Sequence, residues 1–168
     1  MEITGKAHKF GDLINTDIHC SSKYCEPTLS QERVIQLLFY KIKPNFLEQV
    51  VEGDIIAGGR GFGTVSAREE APALLFRIGI RAVLAKSFGY LFYRNAINVG
   101  LPVIECDTDM INDQDRLKLD LKKSTVNNLT SGASIPIKKH FSNVILRILE
   151  DGGLINHVLK HGCYTIHD

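Results

Sequence analysis

No stretch of the sequence approaches the length of an apolar membrane span, and residues 1–5 lack the basic and apolar regions of a signal peptide. No run of lysine or arginine exceeds two residues, and the formal net charge is +1 at pH 7. These absences argue against a membrane partner and against a dedicated nucleic-acid surface. We therefore expect a cytoplasmic protein that binds neither a membrane nor a nucleic acid.

Cysteine is scarce, and no Cys-x-x-Cys pair occurs, so neither a disulfide framework nor a zinc site is expected on this chain. The four cysteines are Cys20, Cys25, Cys106 and Cys163. One histidine pair near the C-terminus, His157 and His161, has the i, i+4 spacing. Two histidines alone do not make a ligand set, so the sequence predicts no metal site.

The chain has 168 residues, 44% of them hydrophobic and 23% charged, as expected for one globular domain spanning 1–168. Alternation predicts a first strand at 3–10, and helical patterns follow at 29–40 and 46–51. Short apolar runs at 55–57, 80–85 and 102–106 predict buried strands, separated by helices at 68–78 and 88–99 with Ser66 and Ser87 as caps. This order predicts an α/β fold with a parallel core.

The second half has a different texture. Apolar residues alternate with polar ones between 117 and 137, which predicts a β-rich section. An amphipathic helix is expected at 141–150, followed by a tail that carries the histidines.

One glycine-dense loop at 58–63 leads from the strand at 55–57 into Ser66-Ala67-Arg68-Glu69. Ser-x-x-Glu before an apolar-periodic run is a capping box, which would put Ser66 at a helix N-terminus, where anions are stabilised. Arg68 opposes the helix dipole there but suits a carboxylate clamp, because its planar guanidinium matches a carboxylate. The alternative, that Ser66 is only a cap and the glycines only a turn, is equally compatible with the spacing.

A second polar segment, 11–17, follows the first strand. Thr16 and Asp17 either border an active site, where they orient an arginine or a substrate hydroxyl, or belong to an Asx-type turn that holds its own backbone. Residues 18–27 have no periodicity and predict a loop of the kind that often determines specificity.

Several motifs resemble the small subunit of 3-isopropylmalate dehydratase, the swivelling domain of the aconitase superfamily. The resemblance covers essentially the whole chain. The matching segments, in order, are Gly-Asp-Leu-Ile-Asn-Thr-Asp at 11–17, Asp-Ile-Ile-Ala-Gly at 54–58, Phe-Gly at 62–63, Ser-Ala-Arg-Glu at 66–69, Ala-Pro at 71–72, Ala-Lys-Ser-Phe at 85–88, Phe-Tyr-Arg-Asn-Ala-Ile-Asn at 92–98, Gly-Leu-Pro at 100–102 and Gly-Gly-Leu-Ile-Asn at 152–156.

The resemblance implies a swivelling-type, three-layer β/β/α domain with a largely parallel central sheet and a β-rich C-terminal half. It also implies a large partner subunit with a [4Fe-4S] cluster held by three cysteines, with substrate bound between the subunits and no metal on this chain. By the same resemblance Ser66 is the base that moves the proton on carbon, and Arg68 holds a substrate carboxylate. Asp17 and Thr16 would line the same cleft, together with Ala67.

Departures from the family pattern lie beside these residues. Val65 replaces a glycine, and a β-branched side chain disfavours positive φ, which predicts a reshaped loop. Ala67 replaces the second serine of the motif. In the specificity loop Tyr24-Cys25-Glu26 stands where the family has a Tyr-Leu-Arg type sequence. Glu26 would repel a carboxylate or accept a hydroxyl or amine.

The sequence therefore predicts the small subunit of a hydro-lyase that acts on a malate-like hydroxy acid, with 3-isopropylmalate the leading candidate. Alternatives in the same class are homoaconitase, dimethylmalate or methylcitrate-type hydratases. Val65 and Ala67 instead favour a non-catalytic anion-binding module, against which stand Ser66 and Arg68. An RNA-binding role lacks a basic patch. Whether the isolated chain forms a homo-oligomer is left open.

Overall fold

The computed structural model describes residues 1–19, 30–65 and 67–162, with Gln31 described by its backbone alone. Seven strands form a sheet in the order β4-β3-β2-β1-β5-β6-β7. The strands are β1 (Glu2–Lys9), β2 (Ile55–Ala57), β3 (Ala82–Ala85), β4 (Val103–Glu105), β5 (Arg116–Asp120), β6 (Thr125–Asn128) and β7 (Ser134–Pro136).

The first four strands form the parallel half of the sheet. Ala7 pairs with Ile55, Ile56 with Val83, and Leu84 with Ile104. All residues of β2 and β3 are buried, as expected when both faces of a parallel sheet are covered. The predicted parallel core is confirmed.

The last three strands form the antiparallel half, which continues the same sheet through β1. Gly5 pairs with Leu117 of β5, and β5, β6 and β7 then pair in antiparallel succession. The alternating burial of β6 reproduces the period of two in its sequence. The predicted β-rich half is therefore confirmed, and β1 is the strand that joins it to the parallel half.

The sheet curls until its two ends meet. Cys106, just after β4, forms an antiparallel bridge with Ile137, just after β7, and the Lys138 amide donates to the Glu105 carbonyl at 2.8 Å. Alternate residues of the parallel strands then face two separate cores. Ile55 lies in the core enclosed by the curl, whereas Ile56 lies in the core beneath the helices. Two β layers and one helical layer result, as the resemblance implied.

In the described residues, seven α-helices pack on the sheet. They are α1 (Thr16–His19), α2 (Gln31–Gln36), α3 (Phe46–Gln49), α4 (Glu70–Arg77), α5 (Tyr90–Asn98), α6 (Asn143–Glu150) and α7 (Leu154–His161). Ser30 caps α2 and Ser142 caps α6, each with its hydroxyl oxygen accepting from the backbone amide three residues on. No helix in the described ranges is long and apolar enough to cross a membrane.

Four predictions of local structure are corrected. Helix α2 ends at 36 instead of 40, and Ile18 and His19 belong to α1 instead of a loop. Ser87 does not cap α5, because the helix begins at Tyr90 and the Ser87 hydroxyl accepts from the Gly61 amide at 2.9 Å. The part of the predicted tail that carries His157 and His161 forms helix α7, and His167 lies outside the described residues.

Candidate active site

The candidate site lies where β1 and β2 end, at the carboxyl edge of the parallel half, the edge at which open α/β sheets bind ligands. The loop after β1 and the glycine-rich loop after β2 are joined by backbone hydrogen bonds. These run from Gly59 N to Gly11 O (2.9 Å), from Leu13 N to Arg60 O (2.7 Å) and from Gly63 N to Ile14 O (2.8 Å). The bonds hold the segments that carry Asp17 and Arg68 in a fixed relation.

Two glycines of the loop are required by close packing of protein on protein. A Cβ at Gly59 would lie 1.9 Å from Oδ1 of Asp12, a carboxylate oxygen that also accepts from the Arg60 amide at 2.6 Å. A Cβ at Gly63, which has φ 74°, would lie 2.3 Å from the Phe92 ring. At these two positions the turn interpretation of the glycines is supported, because protein atoms occupy the space that a ligand would need.

The predicted capping box is wrong. Helix α4 begins at Glu70, and Glu69 occupies its N-cap position without a side-chain cap hydrogen bond. A box formed by Ser66 and Glu69 requires a helix that starts at 67. Arg68 therefore precedes the helix and does not lie in its first turn.

Arg68 is brought next to Asp17 by the joined loops. Its Nε lies 3.7 Å from Oδ1 of Asp17, whose side chain is 9% exposed, while 43% of the Arg68 side chain remains exposed. The Asp17 amide donates to the side-chain oxygen of Asn15 at 3.0 Å, which is an Asx turn. The turn interpretation is confirmed, since Asn15 makes the turn, and Asp17 also faces an arginine. That Thr16 and Asp17 border an active site stays a prediction.

Thr16 lies beside Asp17 on α1 but is fully buried. Within the described residues, its hydroxyl has no hydrogen-bond partner. Thr16 is thus below the surface that Arg68 reaches, instead of on it.

Ala67 is exposed and is held in place by helix α5. The side-chain amide of Asn95 donates to the Ala67 carbonyl at 3.1 Å. Nothing in the local sequence pattern distinguishes Asn95, although it lies within the family-like segment at 92–98. A second residue missed as a positioning group is Ser87, whose hydroxyl fixes the glycine-rich loop at Gly61.

Val65 adopts φ 73°, in the left-handed region that a β-branched residue disfavours, and it is 82% exposed. The expectation that valine would avoid this conformation is wrong. The backbone at residue 65 therefore has a conformation that suits glycine and is strained for valine.

Three predicted site residues, Ser66, Tyr24 and Glu26, lie outside the described residues. Their roles remain predictions.

A charged cavity of about 530 Å³ opens at the same edge of the sheet. Lys86 pairs there with Asp109 at 2.5 Å, and the Lys86 ammonium holds the pKa of that carboxyl below its usual range. Lys138 donates to the Lys86 carbonyl at 2.9 Å. The lining residues are Arg60, Lys86, Ser87, Asp107, Asp109 and Lys138. The three cations and two carboxylates suit a polar ligand or a polar protein surface.

Comparison with known proteins identifies close relatives along the whole chain. The family model described as the aconitase C-terminal domain matches residues 33–109. The chain is 43% identical over 162 residues to 3-isopropylmalate dehydratase small subunit 2 of Archaeoglobus fulgidus, covering 96% of this chain and 98% of that protein. It is also 43% identical over 158 residues to the methanogen homoaconitase small subunit of Methanothermobacter thermautotrophicus, covering 94% and 91%.

A solved structure gives the same result. The crystal structure of 3-isopropylmalate dehydratase (leuD) from Methanocaldococcus jannaschii matches with a TM-score of 0.86 at 39% identity, covering 96% of each chain.

Proposed function

Because this chain belongs to the family of 3-isopropylmalate dehydratase small subunits, which are aconitase-type hydro-lyases, we propose that it works with a large subunit on a malate-like hydroxy acid of the 3-isopropylmalate type. The observation that carries this proposal is the contact between Arg68 and Asp17 at the carboxyl edge of the parallel strands. It supplies a held but solvent-accessible guanidinium where a small acid would bind.

Arg68 is the carboxylate-binding residue of the proposal. The nearly buried Asp17 attracts its Nε from the protein side, which limits the orientations of the guanidinium before substrate arrives. A guanidinium held in this way binds a carboxylate at a smaller entropic cost than a freely moving one. Asp17 is therefore a positioning residue that acts through Arg68.

Ser66 is the proposed base, two residues before Arg68. The proton that moves in this chemistry is on a carbon next to a carboxylate, so the base has to act close to the residue that holds that carboxylate, and Ser66 is close to Arg68 in the chain. The hydrogen bond from Asn95 to the Ala67 carbonyl restrains the peptide that joins Ala67 to Arg68. The proposed division of labour is proton transfer at Ser66 and substrate orientation at Arg68.

The [4Fe-4S] cluster belongs, in this proposal, to the large subunit. When bound, the cluster would supply a Lewis acid for the hydroxyl that leaves or returns. This chain contributes the proton-transfer group, the carboxylate clamp and a surface that closes over the substrate.

The choice of acid depends on Glu26. Homoaconitase substrates carry three carboxylates, whereas 3-isopropylmalate carries two and an apolar branch. A glutamate in the specificity loop would repel a third carboxylate. This charge argument favours 3-isopropylmalate, although the relatives are named for both activities.

The test is an anaerobic assay of this chain co-purified with its large subunit, across 3-isopropylmalate, homocitrate, dimethylmalate and methylcitrate. We expect turnover of 3-isopropylmalate and, for Arg68→Lys, a decrease of kcat/KM by about 10- to 100-fold from the lost bidentate contact. Arg116→Lys is the matched control, because Arg116 is exposed on β5 in the antiparallel half, and it should change nothing.

Each contrary outcome has a definite meaning. Turnover of homocitrate alone would make homocitrate the substrate in place of 3-isopropylmalate and would leave the proposed roles of Ser66 and Arg68 unchanged. Equal activity of Arg68→Lys and native protein would refute the carboxylate clamp. Failure to bind any large subunit or turn over any acid would favour the anion-binding module.

A further inference from the structure

A cluster of three side chains lies at the junction of α6 and α7, outside the candidate active site. Asp151 follows α6 directly, and Gly152 and Gly153, with φ 81° and 110°, turn the chain into α7. His157 and His161 lie one helical turn apart and therefore project from one face of α7. That face is turned back onto Asp151.

The potential ligand atoms converge on one point. Oδ2 of Asp151 lies 2.7 Å from Nδ1 of His157 and 2.9 Å from Nε2 of His161, and all three atoms lie within 4.8 Å of one another. The two imidazole rings are 4.6 Å apart. Two imidazoles and one carboxylate form a common protein ligand set for zinc and similar divalent ions.

We propose that Asp151, His157 and His161 bind one divalent transition-metal ion of the zinc type. Tetrahedral coordination with bonds of about 2.0–2.1 Å places ligand atoms roughly 3.3 Å apart. The present separations of 2.7 and 2.9 Å are those of hydrogen bonds, so the carboxylate has to withdraw by about half an ångström to admit the ion. A water molecule takes the fourth position.

The metal replaces protons in this cluster. Asp151 now accepts hydrogen bonds from both rings, which requires a proton on Nδ1 of His157 and on Nε2 of His161. An ion bound to the same two nitrogens displaces those protons, and the negative carboxylate stabilises the added charge. A metal ion at this site therefore replaces the two hydrogen-bonded protons between Asp151 and the histidine rings.

Burial divides the roles of the two histidines. His157 is 1% exposed and is therefore a rigid ligand, whereas the side chain of His161 is 39% exposed and gives the ion a path from solvent. Nε2 of His157 must carry the ring proton when Nδ1 binds metal. It is buried without a partner among the described residues, and this cost limits the affinity.

Lys160 competes with the ion. Its ammonium donates to Oδ1 of Asp151 at 2.6 Å, leaving Oδ2 as the metal-facing oxygen. The positive charge repels a second cation, so removal of Lys160 should tighten binding. A purely structural hydrogen-bond cluster predicts no such change in metal affinity.

The test uses the full chain with its accessible thiols alkylated, so that cysteine does not bind the probe. Co²⁺ is titrated and followed by its visible absorption, and Zn²⁺ is added to displace it. We expect one Co²⁺ per chain, displaced by Zn²⁺. His161→Ala and Asp151→Asn should weaken binding by at least about tenfold, and Lys160→Ala should strengthen it severalfold.

His140→Ala is the matched control, because His140 is a histidine in another part of the chain, where its ring contacts Ser124. It should bind Co²⁺ like native protein. Zn²⁺ should also raise the melting temperature of native protein and not that of His161→Ala, whose exposed side chain can be removed without opening the core. Absence of saturable binding to native protein, or equal binding by His161→Ala, would refute the site.

Discussion

Val65 offers a test of the loop conformation on which the candidate site is built. A φ of 73° is energetically unfavourable for a β-branched residue. The side chain is 82% exposed, so its burial contributes little to the stability of the fold. Replacement by glycine should therefore stabilise the protein, which is the reverse of the usual effect of glycine.

The magnitude follows from three contributions. Relief of the strained backbone conformation is worth about 1–3 kcal/mol. Glycine costs about 0.4–1 kcal/mol through the greater freedom of the unfolded chain, and the lost side-chain burial costs a few tenths of a kcal/mol. We expect Val65→Gly to raise the free energy of unfolding by about 1 kcal/mol, or the melting temperature by roughly 3 °C.

The assay is urea unfolding of native protein, Val65→Gly and Val51→Gly, followed by circular dichroism. Val51 is the matched control: it is also an exposed valine, at 61%, but it does not have positive φ. Val51→Gly should lower the free energy of unfolding by about 1 kcal/mol. If Val65→Gly loses as much as Val51→Gly, residue 65 does not occupy the left-handed region and the described loop is wrong.

Three further predictions concern other parts of the chain. His8→Ala removes a buried 2.8 Å hydrogen bond to the Asp54 carboxylate and should lower the free energy of unfolding in urea by about 3 kcal/mol; a loss below about 1 kcal/mol would contradict this. Burial raises the pKa of the Cys106 thiol to about 12, so a disulfide reagent at pH 8 should modify Cys106 only after unfolding, whereas rapid modification of native protein would refute its burial. Asp17→Asn should raise KM of the complex about tenfold with little change in kcat, because Arg68 loses the carboxylate that orients it; an unchanged KM would remove Asp17 from the positioning role.

The strands of the parallel half were predictable because their continuous apolar residues are the reason that they are buried on both faces. Residues 82–85 are continuously apolar, and all four are buried between helices on one side and the curled sheet on the other. A strand covered on both faces needs apolar residues at every position. The alternation in β6 similarly predicted a strand with one buried face.

The starts of α4 and α5 were not predictable from local patterns, because Ser87 is engaged elsewhere and Ser66 lies four residues before α4 begins. Ser87 precedes an apolar-periodic run and has the features of a cap, yet its hydroxyl accepts from Gly61, 26 residues away. A tertiary hydrogen bond of this kind competes with capping and leaves no trace in the neighbouring residues.

The candidate site likewise has some features that the sequence predicts and others that it does not. The polar segment at 11–17 left an arginine, a substrate hydroxyl or an Asx turn open for Asp17, and the structure places its carboxylate next to Arg68. The bond from Asn95 to the Ala67 carbonyl joins residues 28 apart and involves a backbone acceptor, so residue types alone give no signal for it. Helix α7 did carry a signal, since Leu154 and Val158 have helical spacing, but the preceding glycines and the histidines obscured it.

The assignment of Ser66 as the base is the central claim, and the anaerobic rate of the complex with Ser66→Ala tests it most directly. A positioned base contributes about 10²–10⁴-fold, so the variant complex, with its large subunit and cluster content unchanged, should lose that factor in kcat on 3-isopropylmalate. A variant complex that turns over as fast as the native one would contradict the claim, and proton transfer would then have to be assigned to another residue.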